Sequence, residues 1–236
     1  MEIIETESPS EDAGKALSEA LLEHKDTPVL LMLSGGSAFA ILDFVSPEVL
    51  GSHVTVTVLD ERYSTDSKVN NFAQLEQTDF YKICVERDTY IISTKVLEGE
   101  SMGGLRQRFD VALHGWKEQN KDGVILTTMG IGHDGHTAGI FPGEHGVDLN
   151  GNDWIVGYSV PKEVNEYTDR VTVTNTFLRE CVHKAIVLVA GKEKIQLISE
   201  LSAENQHMDE EYRKPMRVLL TMRDVILYTD LKLKNI

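Results

Sequence analysis

The sequence is poor in cysteine, in proline, in cationic residues and in long apolar runs, and each shortage closes off a class of protein. Only Cys84 and Cys181 occur, far apart and in no CxxC pair, so no disulfide framework is expected and a reducing compartment fits. There are 6 prolines, and no Pro/Ser-rich linker, fixed-period repeat or low-complexity tract interrupts the chain. Lysine and arginine number 23 against 38 acidic residues, a formal net charge of −15. That field repels a phosphate backbone, so nucleic acid is not an expected partner. It also repels a small anion at long range. An anion site would have to be built locally, from a few cations and backbone N–H groups. No apolar run approaches the ~18 residues of a membrane span. Residues 1–11 are acidic and lack the basic-then-apolar pattern of a signal peptide. The expected location is cytoplasmic, with no membrane partner.

What remains is an ordinary globular composition, 41% apolar and 26% charged over 236 residues. One domain spanning 1–236 is the expectation for that length. Ser8-Pro9-Ser10-Glu11 reads as a capping box with proline at the first helical position. Ala13, Ala16, Leu17, Ala20 and Leu21 then mark one helical face. Runs at 28–33, 54–59, 123–128 and 185–190 read as strands, and 28–33 and 185–190 are continuously apolar, as expected of strands buried on both faces. Shorter strands fit 90–92, 170–173 and 225–228. Helical patterns follow the first Gly-rich loop as far as Phe44, and cover 71–84, 105–116, 176–181 and 192–201. Such alternation predicts an α/β fold with a doubly wound, mostly parallel sheet and helices on both faces. Ligands of these sheets bind beyond the carboxyl ends of the strands. Four polar loops each follow an apolar run: 34–37 (SGGS), 60–62 (DER), 130–136 (GIGHDGH) and 191–194 (GKEK). All four should share one edge of the sheet.

Each loop has a chemistry and a blander alternative. Ser34, Gly35, Gly36 and Ser37 open a helix, where close backbone approach and free N–H groups suit phosphate; an ordinary Gly-rich turn is equally compatible. Asp60 can handle protons or orient a hydroxyl, and Arg62 can grip phosphate with its planar fork. The alternative there is a solvated turn. In 130–142 (GIGHDGHTAGIFP), His136 is a natural base near neutral pH, and Asp134 can orient it. Read as metal ligands, His133, Asp134 and His136 are spaced too closely for a helical zinc pair, and no cysteine joins them. No metal is expected. His24, His53, His114, His145, His183 and His207 have no motif around them. Arg170 and Lys194, surface charges when taken singly, would with Arg62 supply the local cations that an anion needs.

These segments together resemble the 6-phosphogluconolactonase family, within the wider group that includes glucosamine-6-phosphate deaminase. The matching stretches are 33–37 (LSGGS), 59–62 (LDER), Asn71-Phe72, 130–143 (GIGHDGHTAGIFPG), 169–172 (DRVT), 191–194, and Pro215 with the terminal strand to Asp230. The resemblance implies a NagB-like variant of the Rossmann arrangement. It implies hydrolysis of a small phosphorylated sugar lactone, 6-phospho-D-glucono-1,5-lactone, in the pentose phosphate pathway. It implies no organic cofactor and a monomer or small homo-oligomer. By the same resemblance His136 is the general base, with Asp134 and Asp60 beside it. Arg62, Arg170, Lys194 and the Ser34–Ser37 loop then hold the phosphate. The deaminase branch carries a pattern like DGHIAFNEP, with a catalytic glutamate before the proline; here Phe141 occupies that place. A non-catalytic sugar-phosphate sensor is a further alternative, though no basic helix-turn-helix precedes the domain. The chain departs from the lactonase pattern at Ala38-Phe39, usually Thr-Pro; at Asn70-Asn71, usually Ser-Asn; and at His133, often Pro. The first departure puts the shape of the phosphate pocket, and so the substrate, in question.

Overall fold

The four runs at 28–33, 54–59, 123–128 and 185–190 form the middle of one sheet. The computed structural model describes residues 1–202 and 213–233. Its strands are β1 (Glu2–Glu5), β2 (Val29–Leu33), β3 (Val54–Val58), β4 (Asp60–Arg62), β5 (Tyr90–Ile91), β6 (Val124–Gly130), β7 (Ile155–Ser159), β8 (Asp169–Val173), β9 (Lys184–Val189) and β10 (Val225–Thr229). Its α-helices are α1 (Pro9–Glu23), α2 (Asn71–Leu75), α3 (Asp79–Glu86), α4 (Met102–Gln119), α5 (Asn175–Glu180) and α6 (Ile195–Ser202). Seven strands pair in the order β1-β10-β9-β6-β2-β3-β5, every pair parallel.

Every residue of β2 and β3 is buried, because both faces of the sheet are covered. The alternation of a strand divides β2 between two cores. Leu30 and Met32 join Leu105, Phe109 and Leu113 of α4. Leu31 and Leu33 join Ala13, Leu17 and Leu21 of α1.

The connections place the ligand edge. From β2 the chain steps outward through β3 to β5, then returns across β2 to β6, β9 and β10. β2 and β6 are therefore neighbours whose outgoing connections run in opposite directions, which opens a crevice at their carboxyl ends. A second, antiparallel sheet, β4-β8-β7, stands over that edge. It starts there because β4 follows β3 after the single residue Leu59. No helix among the described residues is long and apolar enough to cross a membrane.

Several local features differ from the sequence reading. Pro9 does open α1, but Ser8 makes no side-chain cap. Instead the Thr6 hydroxyl donates to Asp12 and accepts from the Ser8 amide. The helical pattern after the Gly-rich loop is a 3-10 helix, Gly36–Phe44. The stretch 71–84 divides into α2 and α3, with Asn70 and Thr78 each capping by a side-chain oxygen. The triplet 60–62 is a strand rather than a turn. Strands β1 and β7 and the 3-10 helix Pro215–Leu220 had no reading in the sequence. His207 lies outside the described residues.

Candidate active site

The four polar loops do meet at one edge, following β2, β3, β6 and β9, which include the two strands of the switch point. They enclose a cleft of about 190 Å³. Ser34, Gly35, Gly36, Ser37, Asp60, Arg62, His136, Arg170 and Lys194 all line it. Asp134 stands behind His136 rather than on the cleft wall.

The His136–Asp134 pair is made by the loop itself. Asp134 Oδ1 lies 2.5 Å from His136 Nδ1 and accepts the His136 amide at 3.1 Å. Gly135, at φ +84, supplies the left-handed turn between them. A Cβ on Gly132 would lie 2.0 Å from His136 Cε1, so glycine there makes room for the ring. A carboxylate on Nδ1 places the proton on that nitrogen and leaves the lone pair on Nε2. Half-burial works against a charged Asp134, but the hydrogen bond and charge of His136 prevail and hold it at about 2.

The following hairpin brings the loop onto the second sheet. Thr137 and Ile140 pair across Ala138 (φ +49) and Gly139 (φ +65). Two central residues with positive φ make this a type I′ turn. The Thr172 hydroxyl of β8 donates to the Ala138 carbonyl, and the Tyr158 hydroxyl of β7 to that of Gly139. Gly139 thereby sits against Asp60: a Cβ on it would lie 2.6 Å from Asp60 Oδ2.

The three residues of β4 divide their work. Asp60 is buried in the cleft wall, 3.7 Å from Arg170 Nη1. The Asn71 amide group donates to the Asp60 carbonyl at 2.9 Å and to its carboxylate at 3.4 Å. Glu61 points away and is fully buried. Its carboxylate accepts from the Arg62, Asn71 and Phe72 amides and from Thr94 Oγ1, tying β4 to the start of α2. Burial pushes Glu61 up to about 8, against the lowering pull of the Thr94, Phe72 and Asn71 hydrogen bonds. Arg62 lies over the Tyr167 ring at 5.1 Å and is in register with Arg170 across β4 and β8. Arg170 lies over the Phe141 ring at 5.0 Å and donates to Asn165 at 2.9 Å. The buried Nε groups of Arg62 and Arg170 have no hydrogen-bond partner among the described residues. Buried donors left open beside a cleft are what an anionic ligand satisfies.

His133 is exposed and outside the cleft. Among the described residues no three His, Cys, Asp or Glu side chains stand together as a metal site.

Residues 7–227 match the family described as glucosamine-6-phosphate isomerases/6-phosphogluconolactonase. The chain belongs to this family. A 6-phosphogluconolactonase of Pseudomonas aeruginosa is 31% identical over 142 residues, 59% of this chain and 56% of that protein. The matched stretch thus spans just over half of that relative. Among solved structures, a 6-phosphogluconolactonase from Shewanella baltica superposes with a TM-score of 0.73 at 18% identity, over 97% of this chain and 96% of that one. The enzyme of the same name from Leishmania guyanensis gives 0.68 at 19%, over 97% and 96%. A monomeric glucosamine-6-phosphate deaminase of the NagB superfamily gives 0.72 at 18%, over 100% and 99%. At such identities the likeness is one of fold, and the fold is common to both chemistries of the family. The choice between them rests on the side chains of the cleft.

Within the family cleft, Asn71, Asn165, Thr137, Ala138 and Gly139 are lining residues that the motif reading did not assign to the site. Asn71 was visible only as part of a matching stretch. Asn165 belongs to the β7–β8 connection, where no motif signals it.

Proposed function

We propose that the protein hydrolyses 6-phospho-D-glucono-1,5-lactone to 6-phosphogluconate, without an organic cofactor, and that 1–236 acts as one sugar-phosphate-binding unit. The observation that carries this reading is the content of the cleft. It holds one imidazole with a free Nε2 and three cations, and the place where the deaminase branch has its glutamate is taken by Phe141, a buried ring behind His136 that adds no acid to the lining. Deamination with aldose–ketose isomerisation needs acid–base groups at ring opening and at C2. Lactone hydrolysis needs one activated water.

The phosphate is held by Arg62, Arg170, Lys194 and the N–H groups of the Ser34–Ser37 loop. His136 Nε2 takes a proton from water as the water oxygen bonds to C1. The charge that develops on the carbonyl oxygen is met by backbone N–H groups or a cation at the cleft wall. As the bond from C1 to the ring oxygen breaks, His136 returns its proton to that oxygen; the product is a carboxylic acid at C1, which releases its remaining water-derived proton to solvent to become a carboxylate, and a hydroxyl at C5. Asp134 stabilises the imidazolium between these two transfers. Asp60, beside Arg170, orients a sugar hydroxyl. General-base help of ~10²–10⁴ with positioning is sufficient for an already activated ester.

The test is lactone hydrolysis, corrected for the spontaneous rate, run beside ammonia release from glucosamine 6-phosphate. Hydrolysis that depends on His136 is expected. Background hydrolysis together with ammonia release would overturn the reading in favour of the deaminase.

A further inference from the structure

The ring of Phe141 does more than vacate the place of an acid. Its centroid is 4.5 Å from that of the His136 imidazole, with the planes 29° apart. The Arg170 guanidinium carbon lies over the same ring at 5.0 Å. The side chain is 2% exposed and packs with Val156 and Tyr158 of the second sheet and with Val160 just beyond it. Its backbone is held at both ends: the amide donates to the Tyr158 hydroxyl at 3.2 Å, and the carbonyl accepts from His145 Nε2 at 2.7 Å. His145 in turn stacks on Tyr158 at 4.8 Å. Phe141 is therefore a rigid platform, and two groups assigned to different tasks rest on it.

We propose that Phe141 is a positioning residue whose ring holds the base and the phosphate anchor at a set separation, so that a substrate gripped at Arg170 presents C1 to His136. An aromatic face also favours a cation standing on it, and both the imidazolium and the guanidinium are cations. A carboxylate in this place would instead draw both groups toward itself. An aliphatic residue would leave both without a face to rest on.

The kinetic part of this inference rests on the hydrolase reading; the titration part does not. The His136 ring-proton resonance is assigned by its absence in His136→Gln, then titrated in the ligand-free wild type, Phe141→Leu and Phe141→Tyr. The charged groups around His136 are Asp134 on its own loop, Asp60, Arg62 and Arg170 from the second sheet, and Lys194 after β9. They are the same in all three proteins. Leucine should lower the His136 midpoint by about half a pH unit, and tyrosine should restore it. On the lactone, leucine should reduce kcat about tenfold and raise KM severalfold, with tyrosine close to wild type.

A leucine variant that melts earlier but keeps the His136 midpoint and both kinetic constants would make Phe141 core packing and overturn the proposal. Should wild type show no lactonase activity, the functional reading fails separately. The titration then decides alone, a shifted midpoint supporting the platform and an unshifted one refuting it. If the leucine variant does not fold, Phe141→Met replaces it, with the same expected shifts.

Discussion

At the scale of single residues, the cleft is governed by close approach. Gly132 is the sharpest case, since a methyl there would overlap the His136 ring. Gly132→Ala should displace the imidazole from Asp134 and cost as much turnover as removing the base, roughly 10²–10⁴-fold. Steady-state kinetics on the lactone checks this; wild-type kcat would mean that the loop moves aside at no cost. Arg170 is a different case, because it also neutralises buried Asp60. Truncating it would leave Asp60 buried beside an empty space and destabilise the protein. Arg170→Lys keeps the charge and removes the fork. KM should rise roughly tenfold or more, with kcat changed little, because the planar pair of donors is lost. An unchanged KM would remove Arg170 from the phosphate site.

At the scale of elements, what could be read in advance depended on whether a segment's own residues decide its structure. Strands β2 and β9 were legible because burial on both faces demands continuous apolar runs, and β3 and β6 because β-branched Val, Ile and Thr dominate them. The loops after them were legible because four polar clusters follow those runs. Strand β4 was not, since Asp60-Glu61-Arg62 has no strand character. It is extended because it pairs with β8 and because α2 and Thr94 satisfy the buried Glu61. Strand β1, four residues at the sheet edge with none fully buried, gives almost no periodic signal. The type I′ hairpin was likewise hidden, because alanine is an unusual residue at φ +49. That hairpin supports a paired prediction. Ala138 and Gly139 share the left-handed region, but only Gly139 lacks space for a Cβ. Ala138→Gly relieves strain and loses a buried methyl, so stability should change by less than about 1 kcal/mol. Gly139→Ala adds both strain and overlap with Asp60, and should cost about 2–4 kcal/mol and raise KM. Urea denaturation of the two variants separates these effects; a Gly139→Ala loss no larger than the ~1–2 kcal/mol of left-handed strain would show that the overlap with Asp60 is relieved at no cost.

At the scale of the whole molecule, one half-buried and one fully buried carboxyl group pull the pH dependence of stability in opposite directions. Asp134 is depressed from 3.8 to about 2, so its contribution is complete above the unfolded value and is lost as pH falls through about 2. Glu61 is raised from 4.5 to about 8, so the folded chain keeps a proton that the unfolded chain releases near 4.5. Its contribution is complete below 4.5 and declines as pH rises through about 8. The Thr94 hydroxyl makes the protonated form tolerable, because it can turn and accept where it now donates at 2.7 Å. The three amides around Glu61 have no such freedom and favour the charged form, which limits the rise. The consequence is a protein whose stability falls from mildly acidic toward alkaline pH, by on the order of a few kcal/mol from this one group. Thermal melts of wild type and Glu61→Gln at intervals from pH 4.5 to 9 measure it. Glutamine sets an amide nitrogen against the Phe72 or Asn71 N–H, so the variant should melt lower throughout. Its advantage or deficit relative to wild type carries the information, because only wild type titrates at position 61. The gap between them should narrow as pH rises through about 8. Two parallel curves would mean that Glu61 is already ionised at pH 4.5, and that its four hydrogen bonds outweigh its burial.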